Sequence, residues 1–345
     1  MVPEGKMLLS PDAVAQAQAK ISQVISGLRR VILGKEEMID EVVAAMLAQG
    51  HVLLEGLPGL GKTELVKALS RLLALDFRRI QFTPDLLPTD ITGGPILQER
   101  DGRKEFVFHP GPVFTNFLLA DEINRASPKT QAALLEAMQE RRVTTFGQTR
   151  PLPDPFFVLA TQNPIELEGT YPLPEAQLDR FMFKVEIIGV ERSVLEEILL
   201  TRSHGEAPAL EPVLNGDELR SLFGIVDAVH LPRAVANYIA RLAAATHPKS
   251  EDAPQVVRDF VKYGSSPRGA IAIGAAARGL ALSRGKPNAG FDEVRRVAAP
   301  ALAHRLVLDY AAKLEGWDGR RIINALLEAV PEVERGLPRT LESQR

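Results

Sequence analysis

The sequence of 345 residues contains no cysteine, which excludes disulfides, thiolate metal sites and a cysteine nucleophile. It also has no apolar run long enough to span a membrane and no signal peptide, so we expect a cytoplasmic protein without direct membrane insertion. We find no internal repeat and no low-complexity tract. These absences are typical of an ordinary globular chain.

An excess of basic residues is missing too, because 41 lysines and arginines face 44 aspartates and glutamates, leaving a net charge of −3. Proteins that bind nucleic acid through its phosphates usually carry a basic field. The balance therefore argues against DNA, although a ring-shaped assembly is able to hide a basic channel. With 45% hydrophobic residues over this length, we expect two cores and two domains.

A glycine-rich turn stands between two apolar segments in the stretch HVLLEGLPGLGKT, residues 51–63. The run before the turn predicts a buried strand, and apolar residues at helical spacing after it predict a helix. Such a turn closes backbone N–H groups around phosphates, and we expect Lys62 to reach the β- and γ-phosphates and the Thr63 hydroxyl to hold Mg²⁺. The residues predicted to bind ATP or ADP here are Gly56, Pro58, Gly59, Leu60, Gly61, Lys62, Thr63 and Glu64.

Two further apolar runs, 114–120 and 156–161, are each followed by polar residues. Ligands of open α/β sheets lie at the carboxyl ends of strands. Asp121 is therefore predicted to help hold Mg²⁺, and Glu122 to orient and polarise the attacking water. Asn163 precedes a proline, so it is either a turn former or a ligand of the γ-phosphate or the water, and its place on the sheet favours the ligand.

Three other features each allow two interpretations. The segment Ile32, Leu33 and Gly34 interrupts a helical pattern and is either a plain helix–helix turn or a wall of the adenine pocket. Arg180 is either a structural ion-pair partner or an arginine finger from a neighbouring subunit, worth roughly 10³–10⁵ in rate. Arg268 opposes the dipole of a helix that Ser266 caps, and it pairs with either a ligand or a local carboxylate.

Hairpin signals appear twice within the first half of the chain, at Asp101–Gly102 and near Gly147. Phe146 is expected to pack beside the second turn rather than to grip a polypeptide. Between the hairpins, a helix over Pro128–Arg141 is predicted to face inward with Ala132, Leu134, Leu135 and Met138.

From Val190 onward the pattern is helical without strands, which predicts a domain boundary near Gly189. The helices predicted there are Glu191–Leu200, Gly216–Val229, Arg233–Ala245, Pro267–Ser283, Phe291–Leu308 and Gly319–Ala329. We therefore expect a nucleotide-binding core over 1–189, a helical domain over 190–335 and a flexible tail over 336–345.

Five segments together resemble the MoxR family of AAA+ ATPases, over nearly the whole chain: GLPGLGKT, LLADEINRASPKTQAALLEAMQE, ATQNP, PEAQLDRF and SPRGA. The resemblance implies an α/β fold, a P-loop αβα sandwich with a parallel sheet, followed by an all-α lid. It also implies Mg²⁺-dependent ATP hydrolysis at the subunit interfaces of a hexameric ring. In that scheme the implied roles are Walker A for Lys62 and Thr63, Walker B for Asp121 and Glu122, sensor 1 for Asn163, finger in trans for Arg180, sensor 2 for Arg268, and a second interface candidate in Arg125.

The two hairpins resemble the helix-2 insert and pre-sensor-1 hairpin that this clade shares with magnesium chelatase and minichromosome-maintenance helicases. The family resemblance implies a chaperone that acts on a client protein, with a von Willebrand A domain protein as a further expected partner. Two alternatives stay open, a DNA-translocating motor and a nucleotide-dependent scaffold with little turnover. Charges nearly cancel in the first tip, 99–105, and are absent from the second, 145–149, which argues against DNA.

Overall fold

The structure is a computed structural model that describes residues 9–57, 59–100, 103–164, 169–187, 189–202 and 208–333. Three features predicted above lie outside the described residues. They are Pro58 of the glycine-rich turn, the hairpin tip Asp101–Gly102 and the tail 336–345.

The strands are β1 Val52–Gly56, β2 Phe77–Gln81, β3 Gly93–Arg100, β4 Arg103–Pro110, β5 Phe117–Asp121, β6 Arg142–Thr145, β7 Gln148–Pro151, β8 Phe157–Gln162, β9 Phe183–Ile187, β10 Val261–Tyr263 and β11 Val307–Leu308. The helices are α1 Pro11–Val31, α2 Glu36–Leu47, α3 Lys62–Leu72, α4 Pro88–Thr92, α5 Pro128–Glu140, α6 Glu175–Leu178, α7 Arg192–Thr201, α8 Gly216–Ala228, α9 Arg233–Ala245, α10 Gln255–Phe260, α11 Pro267–Ser283, α12 Phe291–Leu302, α13 Tyr310–Leu314 and α14 Gly319–Ala329.

Five strands form a parallel sheet in the order β2-β5-β8-β1-β9. Successive residues of a strand point to opposite faces, and both faces of this sheet are covered. Leu53 joins a core with α5, whereas Val52 and Leu54 join a second core with α1, α2 and α3. The predicted sandwich of a parallel sheet between helical layers is confirmed.

The second core continues without interruption into the helical domain, which we call the lid. Helix α11 lies close against α2, since a Cβ on Gly279 would lie 3.2 Å from the Ala44 carbonyl oxygen. β9 ends at Ile187, and the described chain from Arg192 onward is helical apart from β10, β11 and a 3-10 turn. Because the apolar core crosses the expected boundary near Gly189, that boundary stays a prediction.

The lid is not all-α, because β10 and β11 form a small antiparallel ladder. The helix predicted over Phe291–Leu308 ends at Leu302 and is followed by a 3-10 turn over Ala303–Arg305. Pro300 provides no backbone N–H for the helix, and Val307 pairs with Tyr263 instead of continuing it. The prediction of one continuous helix was therefore wrong.

The two inserted hairpins are confirmed as separate two-stranded sheets, β3–β4 and β6–β7. They contact each other where the guanidinium of Arg150 lies 3.8 Å from the ring centroid of Phe108. Phe146 was predicted to pack beside its turn. That prediction was wrong, because Phe146 is 80% exposed. Its backbone adopts a left-handed conformation with φ of 51°.

Helix α5 buries Leu134, Leu135 and Met138 as predicted, but Ala132 is exposed. Gln131 is buried in its place because its amide nitrogen donates to the carbonyl oxygens of Ile123, Ala126 and Tyr171. Polar bonding therefore fixes the rotation of this helix as much as apolar periodicity does. Within the described chain, no helix combines the length and apolar character needed to cross a membrane.

Candidate nucleotide-binding site

The glycine-rich turn connects the end of β1 to the start of α3. Gly59 and Gly61 have φ of 81° and 82°, a conformation that glycine adopts without the penalty paid by other residues. Gly56 has no room for a side chain, because a Cβ there would lie 2.8 Å from the Ile187 carbonyl oxygen. Each of these positions thus requires glycine for a physical reason.

Lys62 is the first residue of α3, and its Nζ donates a hydrogen bond to the Gly56 carbonyl oxygen. Burial lowers the pKa of Lys62, and the carboxylates of Asp121, Glu122 and Glu55 oppose that shift. The ammonium is therefore held across the loop and faces the acidic end of β5. Such a cation is placed to attract an anionic ligand.

A cavity of about 390 Å³ opens above the carboxyl ends of β1, β5 and β8. It unites the turn, the two acids and the asparagine that were predicted separately. Its lining residues are Gly59, Gly61, Lys62, Thr63, Glu64, Arg79, Gln81, Asp121, Glu122, Thr161 and Asn163. Glu64 also pairs with Lys67 at 3.0 Å, and Asn163 is 7% exposed.

Asp121 ends β5 and is fixed by two partners. The Thr161 hydroxyl donates to its Oδ1 at 2.6 Å, while Arg79 donates to Oδ2 from Nη2 at 2.6 Å and from Nε at 3.1 Å. These hydrogen bonds fix the orientation of the Asp121 carboxylate and keep it out of bulk solvent. Its side chain is 16% exposed.

Glu122 has φ of 55°, so the chain turns sharply as it leaves β5. Its N–H donates to Thr161 Oγ1 at 2.8 Å, and its Oε2 accepts from Gln81 at 2.8 Å and from Arg125 at 3.0 Å. Oε1 accepts no hydrogen bond from the described residues, which leaves it able to accept one from water. Asn163 follows β8, the strand beside β5.

Sequence reasoning missed Arg79, Gln81 and Thr161, although all three line the cavity. The first two lie at the carboxyl end of β2, where Gln81 is in register with Asp121. The rule that singled out Asp121, polar residues at the carboxyl end of a strand, also applies to β2 and β8. The missing information was the strand order that makes these strands neighbours of β5.

The predicted adenine segment does not line this cavity. Ile32 is buried beside the turn, since a Cβ on Gly61 would lie 3.5 Å from its Cδ1. Gly34 lines a different cavity of about 590 Å³ with Ile187 and Val194. Leu33 is half-buried, and Leu60 packs against the large core.

The three arginines predicted as finger, interface candidate and sensor 2 also lie outside the cavity lining. Arg125 pairs with Glu122 of its own chain, and Arg268 Nη1 lies 3.6 Å from Asp179 Oδ2, so a local carboxylate partner exists. Arg180 is half-buried at a cavity of about 500 Å³ that Glu136 and other residues of α5 and β6 also line. Its guanidinium forms no ion pair or hydrogen bond within the part of the chain that the structure describes.

Magnesium requires oxygen ligands and usually keeps several waters, binding through one or two protein groups plus phosphates. The Thr63 hydroxyl and the Asp121 carboxylate share the cavity with Lys62 and provide that donor set. Among the described residues, no three His, Cys, Asp or Glu side chains converge to hold a metal alone. The residues present thus fit a magnesium ion that arrives with a phosphate ligand.

Comparison with known proteins gives the cavity a family context. Residues 51–183 match the model of the ATPase family associated with various cellular activities, and residues 254–326 match an AAA lid domain. The chain is 43% identical to "Chaperone MoxR1" of Mycobacterium tuberculosis over 91% of this chain and 83% of that protein. The chain belongs to the MoxR family of AAA+ ATPases. It is also 32% identical to "Protein MoxR" of Paracoccus denitrificans, over 92% of this chain and 96% of that one.

The fold also matches a solved structure. A crystal structure of an ATPase candidate from Cytophaga hutchinsonii superimposes with a TM-score of 0.86 at 38% identity, covering 93% of this chain and 97% of that one. The family resemblance of the five sequence segments is therefore confirmed, as is an AAA domain that precedes a helical lid.

Proposed function

We propose that this MoxR-family chain hydrolyses ATP as one protomer of a ring-shaped motor that remodels, assembles or activates protein complexes. The observation that carries the proposal is the single cavity in which Lys62, Thr63, Asp121, Glu122 and Asn163 meet. A phosphate-binding loop beside an ordered carboxylate and a second carboxylate with a free oxygen is the arrangement that phosphoryl transfer to water requires.

Each residue has a distinct task in the proposed reaction. Lys62 and the N–H groups of the turn bind the β- and γ-phosphates of ATP and offset the charge that develops during cleavage. Glu122 accepts a hydrogen bond from water at Oε1 and orients it toward the γ-phosphorus, while Gln81 and Arg125 fix Oε2. Asn163 holds either that water or a γ-phosphate oxygen, and ADP and phosphate leave.

Magnesium, held by Thr63 and Asp121, would supply positive charge on the β- and γ-phosphates when bound. The base of the nucleotide is proposed to lie toward Ile32, Leu33 and Gly34, where a cavity of about 590 Å³ reaches Gly34. This direction is supported by the closeness of Ile32 to the turn, since a Cβ on Gly61 would lie 3.5 Å from Ile32 Cδ1.

The ring is proposed because, among the described residues, the arginines beside the site of one protomer are already paired with its own acids, which leaves Lys62 as the cation for the phosphates. Lys62 bonds Gly56, Arg79 pairs with Asp121, and Arg125 pairs with Glu122. Arg180, which has no partner in the described chain, is proposed to enter the site of the next subunit as an arginine finger in a hexamer. Arg268 remains a proposed sensor.

A protein client is proposed from the hairpins. Ile96, Leu97 and Phe106 on β3–β4 are 41%, 55% and 75% exposed, and Phe146 at the other tip is 80% exposed. Exposed apolar side chains suit contact with polypeptide better than contact with phosphates. The name of the mycobacterial relative, a chaperone, supports this direction. A von Willebrand A domain partner and a cytoplasmic location stay predictions.

The first experiment separates a motor from a nucleotide scaffold. Glu122→Gln keeps the shape of the side chain but removes its negative charge, so we expect ATP to bind with unchanged affinity and hydrolysis to become undetectable. Glu328→Gln, on an exposed lid acid, is the matched control and is expected to hydrolyse normally. Wild-type function in cells that carry only Glu122→Gln would exclude the motor.

The second experiment tests the finger in trans. Arg180→Ala is expected to reduce kcat by on the order of 10³. Mixing it with Glu122→Gln is expected to restore hydrolysis, because an intact site then meets an intact finger of its neighbour. A mixture as inactive as its two components, or wild-type activity per protomer that is independent of dilution, would overturn this part of the proposal.

A further inference from the structure

Arg305 of the lid is buried, with its side chain only 3% exposed, and all five of its N–H groups are used. Nε donates to Asp179 Oδ1 at 2.8 Å. Nη1 donates to the carbonyl oxygens of Met182 at 3.1 Å and of Ala301. Nη2 donates to the carbonyl oxygens of Asp179 at 3.2 Å and Phe181 at 2.8 Å. One lid side chain thus holds three of the four residues in the segment 179–182.

Two other lid residues bind the same segment. The Ser266 hydroxyl lies 3.1 Å from both carboxylate oxygens of Asp179, and His304 Nε2 lies 3.2 Å from the Phe181 carbonyl oxygen. Burial and the adjacent Arg305 cation lower the pKa of His304 well below its usual value, so the neutral ring donates to this carbonyl. Lid residues therefore hold the segment both at the Asp179 side chain and at backbone carbonyl oxygens.

Arg180 lies in the middle of this segment and is treated differently. No described residue bonds to its guanidinium, while both of its neighbours are held from the lid. The packing around Arg305 is tight, since a Cβ on Gly269 of α11 would lie 3.2 Å from Arg305 Cδ. This packing and these bonds connect α11 and the 303–305 turn to the backbone that carries Arg180.

We propose that Arg305 is a positioning residue for Arg180, which it sets in place for the neighbouring subunit by binding the 179–182 backbone to the lid. The inference rests on the proposed function, in which Arg180 acts in trans. It assigns the lid a second task besides covering its own core, because the position of one protomer's lid then controls hydrolysis in the next protomer.

The expected magnitude follows from the geometry of catalysis. An electrostatic group must lie within hydrogen-bond distance of the charge that it stabilises. A misplacement of about 1 Å is able to cost about 100-fold in rate. Replacing the planar fork of Arg305 by the single ammonium of lysine preserves the charge but loses most of the carbonyl contacts. Arg305→Lys is thus expected to lower kcat about 100-fold while KM for ATP changes less than about twofold.

The test uses full-length rings and one matched control. Arg258→Lys is the control, because Arg258 is also a lid arginine that donates to backbone carbonyls, at Ala253, Ser250 and Glu251, outside the segment 179–182. Each variant is checked for ring assembly, thermal unfolding and ATP affinity before its kinetics. Arg258→Lys is expected to keep wild-type kcat.

Mixing decides between a positioning role and a merely structural one. Arg305→Lys subunits have an intact nucleotide site, so a 1:1 mixture with Glu122→Gln subunits is expected to recover about a quarter of the wild-type rate, because half of the sites are intact and half of these meet an intact neighbour. A structural defect in the variant's own site would not be rescued. A mixture that stays at the variant's own low rate overturns the inference.

The outcome is separable from failure of the proposed function. If Arg180→Ala is rescued by Glu122→Gln but Arg305→Lys is not, the finger acts in trans and Arg305 does not position it. If Arg180→Ala is not rescued, the finger in trans fails, which is the part of the proposed function on which this inference rests. Asp179→Asn, which keeps the side-chain volume, replaces Arg305→Lys in the same mixture should the latter not fold.

Discussion

Replacing Glu41 by glutamine is expected to stabilise the protein at alkaline pH. Glu41 lies on α2 and is 4% exposed. Its Oε1 has no hydrogen-bond partner among the described groups, and the Arg320 guanidinium of α14 is 4.0 Å away. Burial raises the pKa of Glu41 from 4.5 to about 7, and Arg320 opposes the shift only in part.

The sign of the effect follows from the two pKa values. Between pH 4.5 and 7 the folded protein keeps a proton on Glu41 that the unfolded chain has lost. The stability from this group is complete below pH 4.5 and is lost as pH rises through 7. The difference corresponds to about 3 kcal/mol. Glu41→Gln never ionises, so it is expected to be more stable than wild type by up to about 3 kcal/mol at pH 8, and nearly equal at pH 4.5.

Urea unfolding without nucleotide at pH 4.5, 6 and 8 measures this difference in the free energy of unfolding. The control is Asp40→Asn on the same helix, whose carboxylate pairs with Arg29 at 3.0 Å and is 29% exposed. Loss of such a pair is expected to change stability by less than about 1 kcal/mol. If Glu41→Gln is instead less stable than wild type at pH 8, the ionised carboxylate is stabilised by Arg320 and the reasoning is refuted.

Three further predictions concern the sheet and the loop. Burial lowers the pKa of His51 to about 4. Between pH 6.5 and 4, His51 is therefore protonated in the unfolded chain but neutral in the folded protein. The stability of wild type relative to His51→Asn is therefore expected to fall by about 3 kcal/mol from pH 7 to pH 4 in urea unfolding, and a constant difference would contradict it. Gly56→Ala places a Cβ 2.8 Å from the Ile187 carbonyl oxygen. It is expected to destabilise the protein by about 1–3 kcal/mol in thermal unfolding and to weaken ATP binding. The control Gly94→Ala, whose Cβ would meet nothing within 4 Å, is expected to do neither. Gln81→Ala removes a donor at 2.8 Å from Glu122 and is expected to lower kcat about tenfold with ATP affinity unchanged, and a rise in kcat would show that this bond holds Glu122 in an inactive position.

Much of the geometry of the candidate site was predictable because its signals are local. A strand, a glycine-rich turn and a helix occupy consecutive residues, and the positive φ of Gly59 and Gly61 gives the reason for glycine at two of them. The acids that end β5 were equally visible as polar residues after an apolar run. Arg79, Gln81 and Thr161 were not, because their role depends on which strands lie next to β5.

The lid shows the complementary limit. Helical periodicity predicted one continuous helix through residue 308, which hid the 3-10 turn that directs His304 and Arg305 toward the 179–182 segment. The two residues interact with chain more than 120 positions away, and no local pattern encodes such a contact. The prediction that Ala132 faces inward was wrong for a related reason, since the buried amide of Gln131 sets the rotation of α5.

The apolar core that runs from α1 and α2 into the lid has a thermodynamic consequence. Because one core serves both parts, the lid cannot lose its packing without exposing apolar side chains of the nucleotide-binding half. A ligand bound at the loop after β1 stabilises the folded chain by mass action, and this cooperativity extends the stabilisation to α14, far along the sequence. Resistance of the carboxyl-terminal helices to proteolysis is thereby expected to report occupancy of the proposed site at Lys62.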